Sequence, residues 1–177
     1  MSSLVSPQRI WWRTPLSREE KIWVAVSVLW GIFMFAMMYV WGSFGKQEVP
    51  LETYRVAPET FQAKAAAFAS QYQVGAENGI PVVRPPPGSD AYLVARIWQW
   101  DPILELKKGA TYRLHTSSVD LQHGFSLQPG NINIQVLPGY DYVMTITPDK
   151  AGEYQIVCNE YCGPGHHLMV GKIVVTE

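Results

Sequence analysis

Cysteine is scarce in this chain, with two residues among 177. A small scaffold stapled by several disulfides is thereby excluded. Charge is also in short supply. Asp, Glu, Lys and Arg make up 16% of the sequence, and 14 Lys and Arg against 15 Asp and Glu leave a net charge of -1. Without a basic excess there is no field to hold a polyphosphate, so nucleic acid is excluded as a partner. A near-neutral chain with 47% hydrophobic residues also excludes charge-driven disorder over most of its length. Internal repeats, phosphate-cradling glycine loops and nucleophile–base pairings do not stand out. The length suits one ordinary domain and an appendage.

What the sequence holds is unevenly placed. From Ile22 to Gly45 no residue carries a charge, while Arg18, Glu19, Glu20 and Lys21 stand just before the run and Lys46 and Glu48 follow it. Those 24 residues would form a helix about 36 Å long, enough to cross a hydrocarbon core near 30 Å. Trp23, Tyr39 and Trp41 lie close to its ends, where aromatic rings suit the membrane interface. The run is too long for a signal-peptide core and no small-x-small site closes it, so an uncleaved single-pass anchor in membrane lipid is expected. Arg9, Arg13, Arg18 and Lys21 precede it, against Lys46 and Arg55 soon after. That excess predicts a cytoplasmic N-terminus and a C-terminal domain outside, periplasmic in a bacterium, with the bacterial inner membrane as location.

The sequence divides into an N-terminal segment at 1–21, the span at 22–45, a connector at 46–90 and a β domain at 91–177. Within the connector, Pro58 to Gln73 reads as a short helix with Phe61, Ala65 and Phe68 along one side. The following GAENGIPVVRPPPGSD holds too much Pro and Gly for regular structure and predicts a loop. From Ala91 onward about eight short alternating runs appear, YLVARIWQW and TYRLHT among them, separated by turn residues such as Pro129-Gly130 and Pro138-Gly139. An antiparallel sandwich or small barrel is expected, since a parallel sheet would require crossover helices.

The chemistry concentrates between Cys158 and Met169. Cys158, Cys162, His166 and Met169 are separated by three, three and two residues, and Gly163-Pro164-Gly165 forces the chain to curl. Thiolate, imidazole and thioether donors suit a soft transition metal and not calcium or magnesium. Zinc would accept two Cys and two His but gains nothing from Met169. A mononuclear blue-copper site needs only one Cys. Two sulfurs four residues apart can instead bridge two copper ions, each also taking one His, and His123 offers the second imidazole. A disulfide between Cys158 and Cys162 is the plain alternative, but it leaves both imidazoles and Met169 without a role.

The pattern C-N-E-Y-C-G-x-G-H-x-x-M, with Asp120-Leu-Gln-His123-Gly-Phe and Asn131-Ile-Asn-Ile-Gln-Val-Leu-Pro138-Gly139 upstream, resembles the copper A domain of subunit II in haem–copper oxygen reductases. The resemblance covers the span and 91–177, and is strongest to the B-type branch with its single helix. It implies a mainly β fold: one N-terminal transmembrane helix followed by a cupredoxin-like Greek-key β-sandwich. It implies that Cys158 and Cys162 bridge a binuclear copper centre, that His123 and His166 bind terminally, that Met169 is a weak ligand and that Glu160 ligates through its backbone carbonyl. The Glu160 carboxylate would also reach a magnesium ion (Mg2+) shared with subunit I. Glu20 resembles an acidic residue at the mouth of a proton path, and Trp98 and Trp100 fall in the aromatic strand near the electron-input surface.

The function so implied is electron transfer from cytochrome c, or another periplasmic donor, to haem in subunit I of a terminal oxidase, with no catalysis by this chain alone. A copper A subunit of a nitric oxide reductase and a membrane-anchored copper carrier or assembly protein are the alternatives. Spacing selects His166 over its neighbour His167, and His115, alternating with Arg113, is expected to face solvent or a partner. Trp98 and Trp100, two apart on one strand, should share a face.

Overall fold

In a computed structural model, 13–45 and 51–177 are described. Arg9, Lys46 and Glu48, used above for orientation and flanking charge, lie outside the described residues. Two compact units divide the chain near Lys46.

Among its described residues the first unit carries the long helix α1 (Arg18–Phe44). Its start is set by a capping box. The Ser17 hydroxyl accepts from the Glu20 N–H at 3.1 Å, and the Glu20 carboxylate accepts from the Ser17 N–H at 2.7 Å. Two of the orphan donors at a helix start are satisfied this way. Twenty-seven residues give about 40 Å of helix, and none of its residues is buried. A helix uncharged from Ile22 onward, with no buried face, is suited to lipid.

The second unit is built from strands. In chain order they are β1 (Leu51–Arg55), then helix α2 (Pro58–Tyr72), β2 (Gln73–Glu77), β3 (Ile80–Val83), β4 (Asp90–Arg96), β5 (Gln99–Asp101), β6 (Ile103–Lys107), β7 (Tyr112–Ser118), β8 (His123–Gln128), β9 (Ile132–Val136), β10 (Tyr140–Ile146), β11 (Gly152–Val157) and β12 (Val170–Thr176). One sheet runs β1-β10-β7-β4-β5 and the other β2-β3-β6-β12-β11-β8-β9. Between them lie Leu93, Leu104, Leu114, Phe125, Met144, Ile156 and Ile173, each at most 1% exposed. The mainly β class, two sheets preceded by an N-terminal apolar helix, is the one the sequence implied.

Three features differ from the sequence expectation. The pairings are mixed: β4 lies parallel to β7, and β6 lies parallel to both β3 and β12. No crossover helix is required, because β6, which separates β4 from β7 in sequence, belongs to the opposite sheet. The connector is part of the sandwich, with β1 pairing β10 and β3 pairing β6. The stretch expected as a loop contains β3 and most of β2, joined by a turn that places Asn78 at φ 51 and Gly79 at φ 80, the left-handed pair that two-residue hairpins favour.

Helix α2 forms where its sequence indicates, with Pro58 in its first turn. Phe61, Ala65 and Phe68 are its buried residues. Both phenylalanines pack on Tyr92 of β4, with ring centres 5.8 and 5.6 Å away. Tyr92 in turn stacks on His115 at 4.6 Å. His115 therefore does not face solvent. It is 8% exposed, with Nδ1 2.8 Å from Asp141 Oδ2. The α2 layer and the carboxylate account for the difference, since a buried imidazole requires a polar partner.

Candidate metal centre

The loop from Cys158 to Met169 links β11 to β12, and its two ends are tied by a bond from the Cys158 N–H to the Met169 carbonyl at 3.1 Å. Between those ends Gly163 adopts φ 116, a conformation that favours glycine. His166–Leu168 then forms a single 3-10 turn, with the His166 N–H donating to the Gly163 carbonyl at 3.0 Å. This curl returns His166 toward the cysteines. His123 comes from β8, which pairs with β11 beside the loop.

The loop fits close against β8 because of Gly124. A Cβ there would lie 2.7 Å from the Glu160 amide nitrogen and would overlap the Asn159 side chain. Gly165 meets the same restriction from the other side, where a Cβ would overlap the Trp98 indole.

The donor atoms gather around two sulfurs. Cys158 and Cys162 are free thiols, 3.7 Å apart and each 4% exposed. His123 Nδ1 lies 3.9 Å from Cys158 Sγ, and His166 Nδ1 lies 3.7 Å from Cys162 Sγ. Met169 Sδ is 3.9 Å from Cys162 Sγ, and the Glu160 carbonyl oxygen is 3.3 Å from Cys158 Sγ. His123, Cys158 and Cys162 bring ligand atoms within 4.8 Å of one another. Each sulfur thus has its own imidazole, and the sulfurs are close without being bonded. That donor set fits a pair of soft metal ions better than one hard ion.

Electrostatics point the same way. Burial first, then the neighbouring Cys158, push the Cys162 thiol up to about 11. A thiolate in this position therefore needs a cation beside it. Because the proton has to leave Cys162 before a metal binds, metal uptake by the metal-free protein should release protons. Apparent affinity should rise as pH increases from neutral toward the alkaline range. Equilibrium copper titrations at several pH values check this, and an affinity that falls with pH would contradict it.

Asp120 completes the surroundings of His123. Its Oδ1 accepts from His123 Nε2 at 2.8 Å, which turns Nδ1 toward Cys158. Burial works to raise the Asp120 carboxyl, but hydrogen bonds from His123 and from the Leu121 and Ile97 N–H groups outweigh it and hold the group below its ordinary value. The sequence offered Asp120 only as part of a motif; its bond to His123 depends on the 118–123 turn.

The other expected residues are distributed as follows. His167 is exposed and outside the donor cluster, while His166 is half-buried within it. His166→Ala should therefore abolish the optical bands of the metal centre, and His167→Ala should leave them near wild type; the reverse result would overturn the ligand register. Glu160 directs Oε1 to Gln135 Nε2 at 3.1 Å. Glu20 lies in the other unit, in its capping box. Trp98 and Trp100 do not share one strand, since β4 ends at Arg96 and β5 begins at Gln99. Trp98 occupies the intervening turn at 37% exposure and donates its indole N–H to the Cys162 carbonyl at 3.2 Å. Trp100 is 1% exposed and packs edge-on to Phe125 at 5.6 Å and His123 at 6.4 Å.

Comparison with known proteins gives these residues a context. No protein-family model matches the chain. It is 25% identical over 206 residues to the heme-copper oxidase subunit 2 of Aeropyrum pernix, covering 98% of this chain and 88% of that one. It superposes on a chain of a heme-copper terminal oxidase dimer solved by cryo-EM with a TM-score of 0.59 and 26% identity, covering 90% of this chain and 100% of that chain. The cytochrome c oxidase subunit 2 of Thermus thermophilus is 32% identical over 161 residues, spanning 89% of this chain and 92% of that protein. On that extent of similarity, the chain belongs to the cytochrome c oxidase subunit 2 family.

Proposed function

We propose that this chain is the electron-input subunit of a membrane-bound haem–copper oxidase, working beside a haem-containing subunit I. The observation that carries the reading is the pair of unbonded thiols 3.7 Å apart, each with an imidazole within 4 Å. A binuclear copper centre held there, by Cys158, Cys162, His123, His166, Met169 and the Glu160 carbonyl, would supply one-electron redox chemistry. The residues of the chain supply the rest. Cys158, Cys162, His123 and Met169 are at most 4% exposed, so water is largely kept from the donors. Asp120 fixes the His123 ring, as carboxylates behind metal-binding imidazoles generally do. The loop is closed at its base and wedged by two glycines, so its ligands are held before and after each electron passes.

The rim of the loop supports donor docking. Tyr161, Leu168 and Val170 are 80, 70 and 50% exposed, and Trp98 runs from the surface to the Cys162 carbonyl. Cytochrome c, or another periplasmic carrier, is the proposed donor. Eight acidic and six basic residues between Ala91 and Glu177 give no strong docking field, so the transfer rate should depend only weakly on ionic strength. Stopped-flow rates that fall steeply with added salt would contradict this.

Helix α1 is the proposed single-pass anchor in the bacterial inner membrane, with the N-terminus cytoplasmic. Glu20, beyond its cap, is the proposed mouth of a proton path. Glu160, half-buried and bound by Gln135, is the proposed carboxylate for a magnesium ion shared with subunit I.

The deciding experiment is copper analysis and electron spin resonance on the purified complex. A copper pair per chain with a mixed-valence hyperfine pattern supports the reading. Zinc, or readily exchanged colourless copper(I), overturns it, the latter in favour of a copper carrier. Turnover of the same complex with oxygen and with nitric oxide separates an oxygen reductase from a nitric oxide reductase.

A further inference from the structure

We infer that Asp120 is a positioning residue that locks the turn bearing Trp98 to the ligand His123, so that one carboxylate sets both the metal ligand and the surface through which electrons arrive. The inference rests on the electron-transfer reading above. Its basis is a closed circuit of contacts. Asp120 Oδ1 accepts from His123 Nε2 at 2.8 Å and from its neighbour's N–H, that of Leu121, at 2.6 Å. The other oxygen, Oδ2, accepts from the backbone N–H of Ile97 at 2.7 Å, across 23 residues of sequence. Ile97 is followed by Trp98, whose indole N–H donates to the Cys162 carbonyl at 3.2 Å. The circuit therefore runs from one proposed ligand, His123, through Asp120 and the 97–98 turn, to the loop that carries the other at Cys162.

Each link has a physical reason to hold. The Asp120 side chain is 26% exposed and the His123 side chain 0%, so their bond is largely protected from competing water. Hydrogen bonds to a charged carboxylate are also stronger than neutral ones. The Ile97 N–H belongs to the turn between β4 and β5. Ser118, at the end of β7, holds the turn that carries the carboxylate, its hydroxyl donating to the Leu121 carbonyl and accepting from the Asp120 N–H at 3.3 Å. On the far side the indole lies against Gly163 and Gly165, and a Cβ at Gly165 would collide with it. A rigid indole between solvent and the Cys162 carbonyl fixes the distance an electron must cover. Asparagine cannot replace the carboxylate in full, because its single oxygen can accept from the imidazole side or from Ile97, but not from both.

The test compares Asp120→Ala and Asp120→Asn in the purified complex through two separate readouts. One is amide hydrogen exchange of the peptide containing Ile97 and Trp98, followed by mass spectrometry. The other is the copper hyperfine pattern together with the reduction potential. With Asp120→Ala, exchange at 97–98 should accelerate about tenfold, the hyperfine pattern and potential should shift, and electron input from reduced donor should slow about tenfold. Asp120→Asn should show a smaller change in at least one readout, and it carries the same comparison if the alanine variant fails to assemble. Shifted copper parameters with exchange within about twofold of wild type would overturn the inference, since Asp120 would then hold His123 alone. Unchanged copper parameters with faster exchange would overturn it equally. Absence of a copper pair from the unsubstituted complex would instead defeat the functional reading, and unchanged exchange in the variants would still overturn the grip of Asp120 on the turn.

Discussion

Cys158→Ser is expected to remove the mixed-valence spin resonance pattern and to lower the copper content of the purified complex. Cys158 Sγ lies within 4 Å of Cys162 Sγ, His123 Nδ1 and the Glu160 carbonyl. Cys162 holds the matching place, with His166 Nδ1 and Met169 Sδ within 4 Å of its sulfur. Serine supplies a harder oxygen with a shorter reach, and soft metals bind it poorly. Loss of partners behind a metal ligand already costs about 10–100-fold, so loss of the shared sulfur should slow electron input from the donor by more than about 100-fold. Stability of the β domain should change little by comparison, because the sulfur is one small part of a core filled mainly by carbon side chains. A Cys158→Ser complex with full copper and the wild-type spectrum would show that the sulfurs do not hold the metal.

The second large effect falls on stability. Trp100→Ala removes the bulkiest fully buried side chain of the sandwich, at 1% exposure. Its ring packs edge-on to Phe125 and faces His123 at 6.4 Å, while Gly171 leaves room for it: a Cβ there would lie 2.6 Å from the Trp100 Cβ. Deleting a large buried aromatic costs about 3–5 kcal/mol, which for a domain of this size lowers the melting temperature on the order of 10 °C. His123 would also lose the wall behind it, so the copper spectrum should broaden. Trp98→Ala is the contrast. That ring is 37% exposed, so its loss should cost less than half as much stability while slowing electron input. Calorimetry and stopped-flow kinetics on the two variants check both statements. Equal stability losses would mean that the two rings are not divided between core and surface as described.

The parts of the fold that were legible in the sequence are those encoded by local pattern. The uncharged run from Ile22 to Gly45 falls within α1 except for its last residue, Gly45, which caps the helix, and the helix expected from Pro58 ends one residue beyond Tyr72. Most strands after Ala91 coincide with alternating runs, because alternation reports one buried and one exposed face. The hairpin at Asn78-Gly79 was also written locally, as an Asn-Gly pair, but the surrounding prolines and glycines obscured it. The mixed sheet order was not legible. Which strand lies parallel to which depends on crossings between two sheets, and no short-range signal records that. His115 was misread for a related reason. Alternation places it on the outer face of its sheet, and only the packing of α2 and Tyr92 makes that face an interior.

The candidate site divides along the same line. Residue types and their intervals already defined the donor set: two thiols, two imidazoles and a thioether in a glycine-broken loop, with His123 supplied from 35 residues upstream. Donor chemistry is a property of side chains, so a linear reading captures it. What the sequence could not state is which groups stand behind the donors. That Trp100 is core and Trp98 is surface, that Asp120 binds His123 and Ile97 together, and that Gly124 and Gly165 are required by close approach all follow from residues far apart in the chain meeting at van der Waals or hydrogen-bond distance. Those meetings are fixed by how two sheets pack and where a loop lands between them, and no residue carries that information alone.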